Sequence, residues 1–329
     1  MPTWSVFLSN MKSKHAFITG VAGFVGAYLA DELLAHGYTV TGTVYKDDSK
    51  EARKRVAKEV KLIELDILDS KKVARTLKKV NPDFICHLAA FSSVGRSFSH
   101  ERLTYDINFS GTLNMLEASV ELPKLKKFLF TSSSDCYGKF SPKTKVLKES
   151  DPLNPVSPYG ISKVAAEHLC LLYQNRYKLP VVISRSFNHS GPGQNENFVI
   201  PSFCRQIVRI EKGEQKPVMS VGDLSVKRDL SDVRDIVSGY RLMIEKAKPG
   251  AVYQLCSGKS IAIKMVLDKL IKLSETKINV KIDKKIFRKN DIPIIKGSNA
   301  KAKRELGYKP KYKIDNTLSD SLHYWREIG

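Results

Sequence analysis

A glycine triplet near the N-terminus, in TGVAGFVG (residues 19–26), constrains the fold more than any other feature of the sequence. It follows a short apolar run, HAFIT, and precedes AYLADELLAHG, whose apolar residues have helical spacing and end at a glycine. Glycines at such a junction allow a tight turn and let backbone N–H groups approach a pyrophosphate, whose negative charge the helix N-terminus favours. We therefore expect a dinucleotide site with Gly20, Gly23 and Gly26 facing the cofactor, and a plain glycine turn is the alternative.

The first half of the chain alternates strand-like and helix-like segments. YTVTGTV, KLIELDI, DFICHLAA, KKFLFTSS and PVVISRSF are typical of strands, and SKKVARTLKKV, GTLNMLEASVEL and SKVAAEHLCLLYQNR of helices. This rhythm predicts an α/β fold with a Rossmann-like, doubly wound parallel sheet. Because the rhythm becomes irregular after residue 188, we expect a cofactor domain at 11–187 and a smaller mixed α/β substrate domain at 188–329, with part of 232–257 packing back on the first domain.

Composition narrows the class of protein. The 329 residues are 42% hydrophobic and contain no apolar run of the length that a membrane span needs. The N-terminus does not have the pattern of a signal peptide, and Met11 would serve as a start, so residues 1–10 are expected to have no role in the fold. Five cysteines without close-spaced pairs favour reduced thiols in the cytoplasm over disulfides or a zinc site, and no metal is expected.

The net charge of +21 raises the question of a polyanionic partner such as nucleic acid or anionic lipid. The basic residues are spread along the chain, with no dense arm and no RNA-binding signature. We therefore expect a lysine-rich solvated surface that attracts an anionic substrate, with no nucleic acid and no membrane as partner.

The end of the second predicted strand, TVYKDD, addresses the choice of cofactor. An NAD site places an acid there for the ribose hydroxyls. Here Tyr45 and Lys46 come before any acid, and a cation without a carboxylate suits a 2′-phosphate. NADP(H) is therefore favoured, while NAD(H) stays open because Asp47 and Asp48 follow directly.

Two polar motifs suggest a reaction centre. PYGISK places Tyr159 and Lys163 four residues apart on one helix, so that both face the same way. A free tyrosine has a pKa of about 10, and a nearby lysine together with a positive nicotinamide stabilises the phenolate and lowers that pKa. TSSSDCYG, which follows an apolar run, supplies Ser133 and Asp135. A surface Tyr/Lys pair and a strand cap are the alternatives.

Together with the G-x-x-G-x-x-G spacing, these motifs resemble the extended short-chain dehydrogenase/reductases that act on nucleotide sugars, from about residue 12 to 325. The resemblance implies a triad of Ser133, Tyr159 and Lys163, and commonly a homodimer or tetramer. It also implies further cofactor contacts at Phe24, Val25, Asp66, Ile67, Leu88, Ala89, Ala90 and Arg185. It implies substrate contacts at Ser92, Ser93, Asn188, Arg228, Arg288 and Asp291.

Within this family, ITGVAGFVGAYLA, HLAAFSSVGRSF and VGDLSVKRDLSDVRDIV most resemble the GDP-mannose branch, and in particular its reductases. The implied reaction is NADPH-dependent reduction of the C4 ketone of a GDP-4-keto-6-deoxy sugar, with a product of the GDP-D-rhamnose type. Related dehydratases carry a glutamate where this chain has Asp135, and a threonine where it has Ser133. The shorter aspartate favours reduction, since a displacement of about 1 Å costs about 100-fold.

Two other enzymatic reactions stay open: 4,6-dehydration of GDP-mannose with Asp135 as acid and base, and 4-epimerisation of a nucleotide sugar. A non-catalytic dinucleotide- or RNA-binding module is the alternative from a different class, against which the intact Ser/Tyr/Lys set argues.

Overall fold

The computed structural model describes residues 14–140, 146–287 and 292–329. Residues 1–10 with Met11, and the predicted substrate contacts Arg288 and Asp291, lie outside the described residues.

The strands lie at intervals along the whole described chain. In chain order they are β1 (Lys14–Thr19), β2 (Tyr38–Val44), β3 (Lys61–Glu64), β4 (Phe84–His87), β5 (Lys127–Ser133), β6 (Val181–Ser186), β7 (Asn188–Ser190), β8 (Val218–Val221), β9 (Lys227–Asp232), β10 (Val252–Leu255), β11 (Ser260–Ala262) and β12 (Asn279–Ile282).

Helices connect most of these strands. They are α1 (Phe24–Ala35), α2 (Lys50–Lys54), α3 (Ser70–Val80), α4 (Val94–Ser97), α5 (Glu101–Tyr105), α6 (Gly111–Val120), α7 (Pro158–Tyr177), α8 (Val199–Glu211), α9 (Val233–Lys246), α10 (Ile263–Lys272), α11 (Ala300–Leu306) and α12 (Ile314–Ile328), and a π-helical turn, Asp106–Ser110, joins α5 to α6.

Seven strands of the described residues form one parallel sheet, in the order β10–β6–β5–β4–β1–β2–β3. The predicted doubly wound sheet is confirmed. The chain runs outward from β1 to β3 and then restarts at β4 on the other side of β1. A crevice forms at such a switch point, beyond the carboxyl ends of the strands, and in open α/β sheets this is where ligands bind.

The period of two along each strand divides the core between the two faces of the sheet. On β1, Ala16 and Ile18 contribute to an apolar cluster with α1 and α9, whereas Phe17 contributes to one with α3, α6 and α7. Both faces are therefore covered, which leaves the strand ends as the accessible part of the sheet.

The C-terminal part adds two small sheets and a core of its own. β11, β9 and β7 form a mixed sheet, and β12 pairs with β8 in parallel. Apolar side chains of α8, α10 and α12 pack together, among them Ile207, Leu267 and Leu318. From within residues 232–257, α9 packs on α1 and β10 joins the central sheet beside β6.

Candidate active site

A cleft of about 720 Å³ lies at the carboxyl edge of the central sheet. Most of the site residues predicted from the sequence meet there. They are Gly20, Gly23, Phe24, Val25, Gly26, Tyr45, Asp66, Ile67, Leu88, Ala89, Ala90, Ser92, Ser133, Asp135, Tyr159, Lys163 and Asn188.

The glycine turn at one end of the cleft has no room for side chains. Gly20 has a φ of +70°, and a Cβ there would lie 3.1 Å from the Ala89 Cα. A Cβ on Gly26 would lie 2.3 Å from the Gly20 carbonyl oxygen, closer than any real contact. Backbone therefore lines this end of the cleft, beside the N-terminus of α1, which is the arrangement that a pyrophosphate needs.

A buried threonine–histidine pair supports the Leu88–Ala89 backbone, which lies against this turn. The Thr19 hydroxyl accepts hydrogen bonds from the backbone N–H groups of Leu88 and Ala89, both at 3.0 Å, and donates to His87 Nδ1 at 2.8 Å. His87 Nε2 then donates, at 3.1 Å, to the hydroxyl of Thr112, which itself donates to a backbone carbonyl. Burial first, and then the charge of Lys163, lowers the pKa of His87 to about 3, so the imidazole stays neutral.

The segment after β2, the strand next to β1, forms a turn that lines the cleft. Tyr45, Asp47 and Asp48 line the cleft, and the Asp48 carboxylate accepts the Tyr45 N–H at 2.7 Å. Arg53 donates to the backbone carbonyls of Tyr45 and Lys46 at 2.8 and 3.1 Å, which fixes the turn. Lys46 is exposed and does not belong to the described lining.

The polar groups at the end of β5 converge on the N-terminus of α7. Ser157 caps this helix by accepting the Gly160 N–H, and Tyr159 and Lys163 follow on one face. Ser133 Oγ donates to Asp135 Oδ2 at 2.9 Å and accepts the Asp135 N–H at 3.1 Å. The predicted catalytic side chains are thus brought to one place.

Burial sets the electrostatics of the catalytic pair. Burial first, and then the Asp135 carboxylate, raises the pKa of Tyr159 well above its usual value, against a hydrogen bond with Ser133 that lowers it. Burial lowers the pKa of Lys163 to about 8. The Lys163 ammonium donates to the Thr131 carbonyl at 2.8 Å and lies 5.9 Å from the centre of the Tyr159 ring. Tyr159 therefore holds its proton at neutral pH.

His189 is a cleft residue that sequence reasoning missed. Its Nδ1 donates to the Phe187 carbonyl at 2.8 Å, and its ring lies nearly parallel to that of Phe24, with centroids 6.3 Å apart. Burial lowers the pKa of His189, so the ring is neutral and Nε2 is a hydrogen-bond acceptor. The motif NHSGPGQ contained the residue, but nothing in its spacing marked the imidazole.

Three other predicted contacts lie outside the described lining of the cleft. Ser93 caps α4 through a bond from the Arg96 N–H at 3.3 Å. Arg228 is buried on β9, where it donates to the carbonyls of Lys227 and Ile292 at 2.9 and 2.7 Å. Arg185 points into the core instead of toward the cofactor end of the cleft.

The position of Arg185 corrects the expectation of a cofactor contact. Its Nε and Nη2 bind the Glu167 carboxylate at 2.7–3.1 Å, and its Nη1 donates to the Tyr137 hydroxyl and the Glu149 carbonyl. The donors of its guanidinium fork are engaged inside the protein, because a buried charge needs such partners. Glu167 was missed, although it lies on α7 at i+4 from Lys163.

None of the described helices has the length and hydropathy that crossing a bilayer requires. All five cysteines are buried free thiols.

Comparison with known sequences finds relatives that are enzymes of GDP-linked sugars. The sequence model of the GDP-mannose 4,6 dehydratase family matches residues 17–321. GDP-6-deoxy-D-mannose reductase of Pseudomonas aeruginosa is 33% identical over 313 residues, which cover 95% of this chain and 97% of that protein. Human GDP-mannose 4,6 dehydratase is 30% identical, over 94% of this chain and 90% of its own.

Solved structures of nucleotide-sugar enzymes share the fold of this chain. RMD from Pseudomonas aeruginosa complexed with NADPH superposes with a TM-score of 0.82 at 31% identity, covering 96% of this chain and 99% of that one. UDP-glucose 4-epimerase of Thermus thermophilus in complex with NAD superposes with a TM-score of 0.86 at 26% identity, over 96% and 100% of the chains. This chain therefore belongs to the GDP-mannose 4,6 dehydratase family of extended short-chain dehydrogenase/reductases, which act on nucleotide sugars.

Proposed function

We propose that this chain is a reductase that uses NADPH to convert the C4 ketone of GDP-4-keto-6-deoxy-D-mannose to the alcohol, giving a product of the GDP-D-rhamnose type. The observation that carries the proposal is the meeting of Tyr159, hydrogen-bonded to Ser133, with Lys163 in the cleft that the glycine turn also lines. The relative from Pseudomonas aeruginosa, a GDP-6-deoxy-D-mannose reductase, supports the choice of substrate.

The cleft fits a dinucleotide. Side chains are excluded at Gly20 and Gly26, so backbone N–H groups of the turn and the N-terminus of α1 would hold the pyrophosphate. The turn at Tyr45–Asp48 would hold the adenosine ribose, with Lys46 beside a 2′-phosphate. Asp66 would meet the adenine, and the NADPH complex of the related structure supports NADP(H) over NAD(H).

When bound, the reduced nicotinamide supplies a hydride to the ketone carbon. Tyr159 donates its phenolic proton to the oxygen that gains negative charge. Ser133 orients and polarises the carbonyl by turning its hydroxyl from Asp135 toward the ketone oxygen. The Lys163 ammonium stabilises the phenolate that Tyr159 becomes, and it binds the nicotinamide ribose.

Two observations favour reduction over the reactions that begin with oxidation. Residue 135 is an aspartate, shorter than the glutamate that related dehydratases carry there. The relative from Pseudomonas aeruginosa is a GDP-6-deoxy-D-mannose reductase.

The 4,6-dehydratase is the second candidate, because Asp135 lines the cleft where an acid–base group for elimination would lie. The family match and the human relative support it. Nucleotide-sugar 4-epimerisation is the third, on the likeness to the Thermus thermophilus enzyme.

The test is an assay of purified protein with NADPH and freshly made GDP-4-keto-6-deoxy-D-mannose, with GDP-mannose alone in parallel. We expect loss of NADPH absorbance in proportion to the keto sugar consumed, and no change in GDP-mannose. Loss of one water from GDP-mannose without NADPH consumption would make the chain a dehydratase. In the same series, we expect tighter binding of NADPH than of NADH.

Two further properties belong to this proposal. We propose a homodimer or tetramer, as the family resemblance implies, to be checked by light scattering of the purified protein. We propose the cytoplasm as its compartment, and the buried free thiols are compatible with it.

A further inference from the structure

The buried pair of Glu167 and Arg185 lies directly beneath the catalytic groups. We propose that it is a positioning element, which holds strand β5, the carrier of Ser133, in register with helix α7, the carrier of Tyr159 and Lys163. The inference rests on the proposed function, since it concerns the alignment of those groups for proton donation.

Helix geometry places the pair under the site. Tyr159, Lys163 and Glu167 follow one another at intervals of four residues, so they lie on one face of α7, a turn apart. Lys163 donates to the Thr131 carbonyl at 2.8 Å, and the Ser132 hydroxyl donates to Glu167 Oε1. Two successive residues of β5 are therefore bound to two successive turns of α7, and Ser133 is the next residue of the strand.

The neighbouring strand β6 also contacts Glu167, through Arg185. Ser132, Arg185 and Gln254 are neighbours in register across β5, β6 and β10. Arg185 binds both carboxylate oxygens of Glu167, with Nη2 to Oε2 at 2.7 Å and Nε to Oε1 at 3.0 Å. The side chains are 8% and 2% exposed, so one bidentate bond fixes helix to sheet in a dry environment.

The same pair holds the turn that carries Asp135. Cys136 Sγ lies 3.6 Å from Glu167 Oε1, and Arg185 Nη1 donates to the Tyr137 hydroxyl at 3.1 Å. The Tyr137 hydroxyl also accepts from Gln254 Nε2 at 2.6 Å. Both residues that follow Asp135 are thus anchored to the pair.

Stability alone does not explain two buried charges at this place. A buried ion pair generally stabilises a protein no better than apolar residues of the same size, because desolvation offsets the attraction. The pair instead fixes the relative positions of the catalytic groups on β5 and α7. This matters because a displacement of about 1 Å at a catalytic group costs about 100-fold in rate.

The pair also has an electrostatic signature. Burial lowers the pKa of Lys163, and the Glu167 carboxylate is among the groups that raise it. The titratable groups that interact with the Lys163 ammonium from its own helix and from the elements packed on it are Tyr159, Glu167, Cys170, Cys136 and His87. Removing the Glu167 charge therefore shifts the ionisation of Lys163 to lower pH.

Two variants separate positioning from folding. Glu167→Gln keeps the shape and removes the charge, leaving Arg185 unpaired. The double variant Glu167→Met/Arg185→Met removes both charges and restores an apolar interior. Glu211→Gln is the control, because Glu211 makes a bidentate pair with Arg326, at 2.8 and 2.9 Å, between α8 and α12 and outside the described lining of the cleft. This pair is more exposed than that of Glu167 and Arg185.

We expect kcat of Glu167→Gln to fall about 10- to 100-fold with KM within about threefold. We also expect the alkaline limb of its pH profile to move down by about half a unit to one unit. The double variant should recover most of the urea midpoint but remain slow, and Glu211→Gln should lose urea resistance with kcat and the alkaline limb unchanged. Recovery of kcat in the double variant, or a Glu167→Gln profile that matches the control, would overturn the proposal.

The pH dependence of NADPH affinity, followed by fluorescence without any sugar, gives a readout independent of the substrate. If the wild type reduces no keto sugar, the proposed function fails, whereas an acid shift of the affinity profile in Glu167→Gln alone still supports the positioning role. An affinity profile identical in the wild type and in Glu167→Gln would contradict it.

Discussion

The two halves of the central sheet's carboxyl edge are built in different ways. At β1 and β4 the wall of the cleft consists of backbone, held by a hydroxyl and a neutral imidazole, Thr19 and His87. At β5, β6 and β10 the edge carries a buried ion pair and a buried ammonium, Lys163, beneath the reacting groups. The half at β1 and β4 fits a ligand through the shape of its backbone. The half at β5, β6 and β10 sets the charges around the reacting groups.

The difference determines which substitutions impair each half. A half built from close backbone contacts fails when atoms are added or hydrogen-bond partners removed, with little dependence on pH. A half built from buried charges fails when a charge or proton is lost, and it contains groups that lower the stability of the fold. The predictions below test this contrast, from the largest expected effect to the smallest.

The largest effect is expected from Tyr159→Phe, in the charged half. The variant keeps the ring but removes the proton donor, so kcat should fall by about 10²- to 10⁴-fold while NADPH affinity stays within about threefold. Steady-state rates and fluorescence titration measure both. Tyr253→Phe is the control, because its hydroxyl binds Glu305 at 2.8 Å outside the described lining of the cleft, and it should retain full kcat. A Tyr159→Phe variant as fast as this control would remove Tyr159 from the mechanism.

In the backbone half, Gly26→Ala should have the next largest effect. The new Cβ would lie 2.3 Å from the Gly20 oxygen and 2.7 Å from the Val21 Cα, so the turn must shift. We expect NADPH affinity to fall more than tenfold, with a loss of unfolding free energy of about 1–3 kcal/mol at any pH between 6 and 9. Gly95→Ala adds the same methyl group where no neighbour lies within 4 Å, and it should bind NADPH normally. Normal binding by Gly26→Ala would show that this turn does not hold the cofactor.

Lys163→Met should separate activity from stability. The pKa of Lys163 in the folded chain is about 8, below its usual value of about 10.4, so folding carries a cost at pH values below 8 that disappears as pH rises toward 10.4. We expect kcat of the variant to fall about tenfold. Its stability at pH 7 should rise by up to about 3 kcal/mol in urea unfolding, with the advantage shrinking above pH 8. In the wild type, kcat should fall as pH rises through about 8, because the ammonium loses its charge. A less stable variant at pH 7 would contradict the assignment of a costly buried charge.

Thr19→Val, in the backbone half, should lower stability and NADPH affinity but leave kcat nearly unchanged, which is the reverse of Lys163→Met. Its effect should be the smallest of the four. It leaves the N–H groups of Leu88 and Ala89 without their acceptor, which costs about 1–3 kcal/mol of unfolding free energy. We expect a several-fold weaker NADPH affinity with kcat at saturation nearly unchanged, and Thr19→Ser should restore both. Loss of kcat at saturating NADPH would show that the two halves are not separable in this way.

Much of the fold and of the cleft was predictable because local patterns dictate them. SKKVARTLKKV and YTVTGTV match α3 and β2 residue for residue, since periodicity is a local property. The glycine turn and the Tyr159/Lys163 spacing predicted two ends of one cleft, because parallel strands bring their carboxyl ends together.

The misses are contacts between residues distant in sequence. The family resemblance assigned Arg185 to the cofactor, but its partner Glu167, 18 residues away, turns it into the core. His87 and Thr19 pair across 68 residues, and only the strand register makes them neighbours. Glu167 alone had a local signal, the four-residue interval after Lys163.

The most direct test of the central claim follows the hydride itself. The protein would be supplied with GDP-4-keto-6-deoxy-D-mannose and NADPH deuterated at the transferred position, and the sugar product analysed by mass and proton NMR. Direct reduction predicts one deuterium per product molecule, located at C4, and one oxidised cofactor for each. A product without deuterium at C4, or keto sugar that stays unreduced while the deuterium remains on the cofactor, would contradict the reductase.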